Sequence, residues 1–195
     1  QAGHVMVGVK IYPKGGTTNS KHGIPIEWLY PKSEKAPKHF WETLKAIAKN
    51  NLVLNIHGED PNEGLLNRES GFMWSKFVDT YVDKFNGARV VLEHITTSSA
   101  LGLLTHLRRN KHNVGATVTL HHMILTIDDA YGQVFNTCWP PPNTWSDQAS
   151  VRGTAMLGSE GVFLGSDSAP HLVSSKYQPM CACGCFTAPM LAEML

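Results

Sequence analysis

Five short apolar runs, separated by long helical stretches, constrain this chain more than any other feature. They span residues 5–11, 52–56, 89–93, 114–120 and 161–165. Each is rich in β-branched residues and nearly continuous in apolar character rather than alternating. Parallel strands covered on both faces have that pattern. Residues 37–49 carry Phe40, Leu44, Ile47 and Ala48 at helical spacing. Residues 72–85 do the same with Phe72, Met73, Phe77, Val78, Val82 and Phe85, and residues 98–109 open on a Ser cap and run through Leu101, Leu104 and Leu107. Strand and helix in alternation predict right-handed β/α units in one parallel sheet, an α/β fold. No linker, tandem repeat or low-complexity tract divides the 195 residues, so one domain over residues 1–195 is expected. The Pro-rich piece at 138–145 reads as a stiff loop within it.

Composition narrows the partners. A formal charge of +1 gives no basic excess for nucleic acid, and no apolar run approaches the roughly 20 residues of a membrane span. The basic cluster at 108–112 reads as a solvated helix end, where cations suit the helix dipole. Of four cysteines, Cys181, Cys183 and Cys185 crowd together and Cys138 stands apart. Such spacing cannot staple a domain and does not match the paired CxxC of structural zinc sites. Reduced thiols and a cytoplasmic protein are expected.

The strand exits carry the chemistry. The first run ends around Lys10, the second at His57, the third at His94, the fourth at His121 and His122, and the fifth at Asp167. In a β/α barrel the C-terminal strand ends converge on one mouth, where catalytic groups sit. Two histidines and an aspartate are N and O donors suited to Zn²⁺. A lysine ammonium has no lone pair, so Lys10 could ligate only after modification, for example as a carbamate. Singly, each residue has an ordinary structural explanation. At successive exits together, they point to a metal site.

The motifs extend this. They are Val9-Lys10-Ile11-Tyr12-Pro13, Thr17-Thr18-Asn19-Ser20, Leu54-Asn55-Ile56-His57-Gly58-Glu59, Leu92-Glu93-His94-Ile95-Thr96-Thr97, Thr119-Leu120-His121-His122, Phe163-Leu164-Gly165-Ser166-Asp167-Ser168-Ala169-Pro170-His171 and Cys183-Gly184-Cys185-Phe186-Thr187-Ala188-Pro189. In this order and at these spacings the chain resembles the dihydroorotases of the single-function, class II type, within the amidohydrolase superfamily. The resemblance implies a (β/α)8 TIM barrel, here about five of its eight units. It also implies a zinc-dependent hydrolase of cyclic amides that interconverts (S)-dihydroorotate and N-carbamoyl-L-aspartate in pyrimidine biosynthesis. By motif, Lys10 corresponds to a carbamylated lysine bridging two Zn²⁺ ions, and His57 and His94 to ligands of the second. Asp167 corresponds to a ligand of the first and the general base. His171 corresponds to a contact to the substrate carboxylate, Thr17 and Thr18 to a closing loop, and Trp139 and Cys183 to backbone contacts with the substrate. The implied protein is a cytoplasmic homodimer with a small-molecule substrate.

The sequence also departs from the family pattern. It contains no His-x-His, the pair that opens the family's first strand, and not the Arg and Asn that follow it there. A barrel of this kind typically has about 250 residues. The first three strands are therefore expected to be missing, the final residues are expected to be a helix cut short, and one zinc is expected to lose its histidines. Three consecutive prolines after Trp139 are a further departure, in the loop expected to hold the ring. The alternatives are a truncated, non-catalytic homologue acting as scaffold or subunit partner, and another cyclic-amide hydrolase of the hydantoinase or allantoinase type.

Overall fold

In a computed structural model, which describes residues 6–31 and 34–193, the five apolar runs become five strands. They are β1 (Gly8–Ile11), β2 (Val53–Ile56), β3 (Arg89–Leu92), β4 (Asn113–Val118) and β5 (Val162–Leu164). All pair in parallel, in the order β1-β2-β3-β4-β5. The register runs straight across the first four, with Lys10 opposite Asn55, Asn55 opposite Val91, and Val91 opposite Gly115. Each strand is shorter than its apolar run. Residue 5 of the first run lies outside the described residues.

The strands alternate in burial, unlike the two-sided coverage expected. Leu54, Ile56, Val90, Leu92, Val114, Ala116 and Val118 are buried on the convex face. Their neighbours Val53, Asn55, Arg89, Val91 and Thr117 line a cavity of about 700 Å³ on the concave face. Helices cover the convex face. Helix α1 (Lys38–Lys49) buries Phe40, Leu44 and Ile47, a stripe at i, i+4 and i+7. Full burial of each such side chain contributes about 1.5–3 kcal/mol.

The helix expected over 72–85 is two helices, α2 (Arg68–Trp74) and α3 (Phe77–Lys84). Lys76 breaks it by adopting a left-handed backbone, φ 65°. Helix α4 (Ser98–Arg109) is capped by Thr97, whose hydroxyl accepts from the Ala100 N–H, and not by a serine. Its buried stripe is Ala100, Leu103, Leu104 and Leu107. After β4 the chain turns at Thr119 into α5 (Leu120–Ile124), so His121 and His122 sit on a short buried helix and not at the strand end. Helices α6 (Ile127–Ala130), α7 (Trp145–Met156) and α8 (Val173–Lys176) complete the described α-helices. Residues 188–190 form a 3-10 turn in place of the expected longer helix, whose last two residues lie outside the described residues. No helix among the described residues is long and apolar enough to cross a membrane.

Candidate metal centre

The exits of β1, β2, β3 and β5 deliver four side chains to one end of the concave face. Lys10 projects from β1 and pairs with Glu93, which follows β3. His57 follows β2 and His94 follows Glu93. Their rings meet edge to face with centroids 4.7 Å apart, and His57 Nδ1 lies 3.0 Å from His94 Nε2. Lys10, His94 and Asp167 line the same cavity. His94 and Asp167 both hold positive φ, 42° and 37°. Non-glycine residues in that region are strained and gather at functional sites. The strand-to-loop turns impose it: the His94 N–H donates to the Thr117 hydroxyl at 2.6 Å, and the Gly165 N–H to the Val118 carbonyl.

A second layer orients His57. Its Nε2 lies 2.6 Å from Glu59 Oε2 and 3.1 Å from the Gly16 carbonyl. Both are acceptors, so Nε2 carries the proton and Nδ1 a lone pair. Arg68 Nε lies 3.2 Å from the other Glu59 oxygen, its terminal nitrogen donates to the Gly15 carbonyl, and its guanidinium stacks 4.3 Å over the Trp139 ring. Glu69 accepts from the Thr96 N–H and from the hydroxyls of Thr96 and Thr97, fixing the loop after His94. Burial pushes the Glu69 carboxyl up to about 8.

The His57–His94 pair fits a cation, while among the described residues Asp167 does not join it in a group of three donors within 4.8 Å of one another. His57 Nδ1 presents its lone pair to a buried nitrogen of His94, while His94 Nδ1 is buried without a hydrogen-bond partner. Whichever nitrogen of His94 is protonated, one polar atom of the pair stays unsatisfied, which is costly inside a protein. Burial, the largest cause, holds His94 well below its ordinary pKa, in the neutral state a ligand needs. Asp167 is raised by burial, opposed by Lys10 and His57.

The remaining expected site residues meet beside this centre. Thr17, Thr18, Trp139, His171 and Cys183 line one cavity of about 600 Å³. The Cys183 N–H donates to the Thr18 hydroxyl at 3.2 Å, and His171 Nε2 lies 3.1 Å from the Cys183 carbonyl. The two groups adjoin, because the loop holding Thr17 starts at Gly16, whose carbonyl touches His57.

His121 and His122 join Cys138 instead, each offering an atom within 4.8 Å of the others. Both His122 nitrogens are engaged, Nδ1 with Thr119 at 2.8 Å and Nε2 with the Pro140 carbonyl at 3.0 Å. His122 thereby ties α5 to the Pro-rich loop, while both His121 nitrogens are buried without a hydrogen-bond partner. Sequence reasoning did not single out Glu59, Arg68, Glu69 or Glu93 as individual residues. Glu59 and Glu93 stand within the motifs already described. Arg68 and Glu69 carry no local signal.

No family model matches the chain. It is 35% identical to the dihydroorotase of Saccharomyces cerevisiae over 209 aligned positions, which cover 98% of this chain and 55% of that protein. A dihydroorotase of Pseudoalteromonas atlantica is 36% identical over 97% of this chain and 52% of its own length. Among solved structures, a Saccharomyces cerevisiae dihydroorotase in complex with 5-fluoroorotic acid superposes with a TM-score of 0.80 at 34% identity, covering 96% of this chain and 54% of that one. An L-hydantoinase of Arthrobacter aurescens shares the fold, with a TM-score of 0.74 at 15% identity. The five parallel strands are thus part of an amidohydrolase-type TIM barrel. The chain spans about half the length of the relatives it matches, and over that half it is similar to dihydroorotases in sequence and in fold.

Proposed function

We propose that this chain carries one metal position and part of the substrate wall of a dihydroorotase, and that the protein it belongs to interconverts dihydroorotate and N-carbamoyl-L-aspartate. The observation that carries the reading is the His57–His94 pair, with nitrogens 3.0 Å apart and His57 locked by Glu59 into the ligating tautomer. Lys10, as a carbamate, and Asp167 would complete the donor set toward Zn²⁺. A bound zinc ion supplies Lewis-acid polarisation and lowers the pKa of its water.

The chain's own residues then have distinct tasks. Asp167 takes the proton of the attacking water and returns it to the ring nitrogen as the C–N bond breaks. Its burial raises its proton affinity, which suits that exchange. His171 and the Cys183 N–H face the cavity where the substrate carboxylate would sit, and Trp139 flanks it. Thr17 and Thr18 close from the opposite side and exclude water. The ligand named with the superposed yeast structure, a pyrimidine carboxylic acid, supports this substrate class. The reading extends to a cytoplasmic homodimer. The free cysteines support the compartment, and the family resemblance supports the dimer.

The test is turnover by the protein carrying this sequence, with dihydroorotate against hydantoin. Dihydroorotate is the expected substrate, and Asp167→Asn is expected to lower kcat by about 10²–10⁴-fold. Turnover of hydantoin alone would overturn the assignment. The 195-residue chain by itself is expected to hold at most one zinc tightly, since it contains no His-x-His. Two tightly held zinc ions by native mass spectrometry would contradict that.

A further inference from the structure

Lys176 ends the short helix α8 and is 2% exposed, yet no carboxylate is among its hydrogen-bond partners. Its ammonium instead donates to three main-chain carbonyls, Thr137 at 3.1 Å, Ala182 at 2.8 Å and Gly184 at 2.9 Å. All three protons are used. The carbonyls come from two separate loops. Thr137 lies two residues before Trp139, while Ala182 and Gly184 flank Cys183. The Gly184 N–H also donates to the Thr137 carbonyl at 2.9 Å, so the loops are sewn together at this point. A buried charge is costly unless fully hydrogen-bonded, and a methionine of similar length would fill the space without that cost.

The placement of the charge is the informative part. The Ala182 carbonyl and the Cys183 N–H belong to one peptide group. An ammonium on the oxygen draws electron density through the amide and makes the N–H at the other end a stronger donor. That N–H faces Thr18 in the cavity shared with His171.

We propose that Lys176 is the positioning residue of the anion-binding wall. It holds the Trp139 and Cys183 loops at a fixed separation, and through the Ala182–Cys183 peptide it strengthens the N–H that receives a substrate carboxylate. The inference rests on the dihydroorotate reading for the identity of that anion, but not for the loop clamp.

Two measurements separate those parts. On the chain itself, Lys176→Met is expected to raise amide exchange over residues 181–185, and labelling of the buried Cys185 thiol, about tenfold while β2 and β3 stay protected. Lys176→Arg is expected to restore most of the protection. In the protein carrying this sequence, Lys176→Met is expected to raise KM for dihydroorotate about tenfold with kcat within about threefold, and Lys176→Arg to recover most of the KM. If Lys176→Met does not fold, Lys176→Gln replaces it with the same expectations. Unchanged exchange and labelling in a folded neutral variant overturn the clamp. A fall in kcat at constant KM, or an Arg variant no better than the neutral one, overturns the electrostatic role. Absence of dihydroorotate turnover in the unsubstituted protein overturns the substrate reading alone, and the exchange experiment still decides the clamp.

Discussion

Replacing Glu59 by Gln changes one atom type in a fully buried pair, and the geometry dictates which way the new amide turns. Glu59 is 0% exposed, with one oxygen 2.6 Å from His57 Nε2 and the other 3.2 Å from Arg68 Nε. Arg68 has donors only, so it retains the amide oxygen. The amide nitrogen then faces His57 Nε2, which must accept. The imidazole proton moves to Nδ1, the nitrogen 3.0 Å from His94 Nε2. The lone pair needed for a cation is lost. Substitutions of this outer kind cost about 10–100-fold in metal affinity, equivalent to about 1.4–2.7 kcal/mol. Here both charge and tautomer change, so a loss toward the upper end is expected. Competition for zinc against a chromophoric chelator measures it. Adding Arg68→Met frees the amide to turn its oxygen toward His57, so the double variant is expected to bind zinc more tightly than Glu59→Gln alone. Zinc affinity within about threefold of the parent in a folded Glu59→Gln protein would refute the reasoning.

Other perturbations test the framework. Glu69 has a folded pKa of about 8 against 4.5 unfolded, so its protonated form favours folding. That contribution is complete below about pH 4.5 and fades as pH rises through about 8, with a slope of at most about 1.4 kcal/mol per pH unit. Urea denaturation from pH 5 to 9 should show a flatter decline for Glu69→Gln, and parallel curves would reject the burial argument. Thr97→Val removes the α4 cap and a hydroxyl to Glu69, and is expected to cost about 1–2 kcal/mol by the same denaturation. Leu107→Ala, at 1% exposure, is expected to cost about 2–5 kcal/mol, and a loss under 1 kcal/mol would show the α4 seam to be loosely packed.

The strands were legible because their apolar runs are nearly continuous and β-branched, and the strand exits followed from them. Helices were legible where one stripe dominates, as in α1 with Phe40, Leu44 and Ile47. Helix α7 was not read, because its ends Trp145 and Met156 are exposed and only Gln148 and Val151 are buried, so no apolar stripe marks it. The break at Lys76 was hidden because lysine rarely takes a left-handed backbone and the apolar spacing continues across it. Thr119 ends β4 as a helix cap, yet Thr119-Leu120 reads equally well as strand. At the candidate site, residue types at strand exits drew attention to Lys10, His57, His94 and Asp167. The support around them depends on three-dimensional neighbours. Arg68 reaches Gly15, Glu59 and Trp139 at once, and nothing in its sequence context announces that. Lys176 is equally silent, a lysine at the end of a four-residue helix whose role exists only once the Thr137 carbonyl is brought beside it.

The strand order has a consequence for how such a chain is made. Because each strand lies beside the one preceding it in sequence, every new β/α unit leaving a ribosome finds its pairing edge already displayed. No strand waits for a later one to be inserted between it and its neighbour. Assembly can therefore proceed as stepwise accretion at a single growing edge, and the span of chain to be closed at each step is one β/α unit. That keeps the entropic barrier of each addition small and nearly constant along the polypeptide.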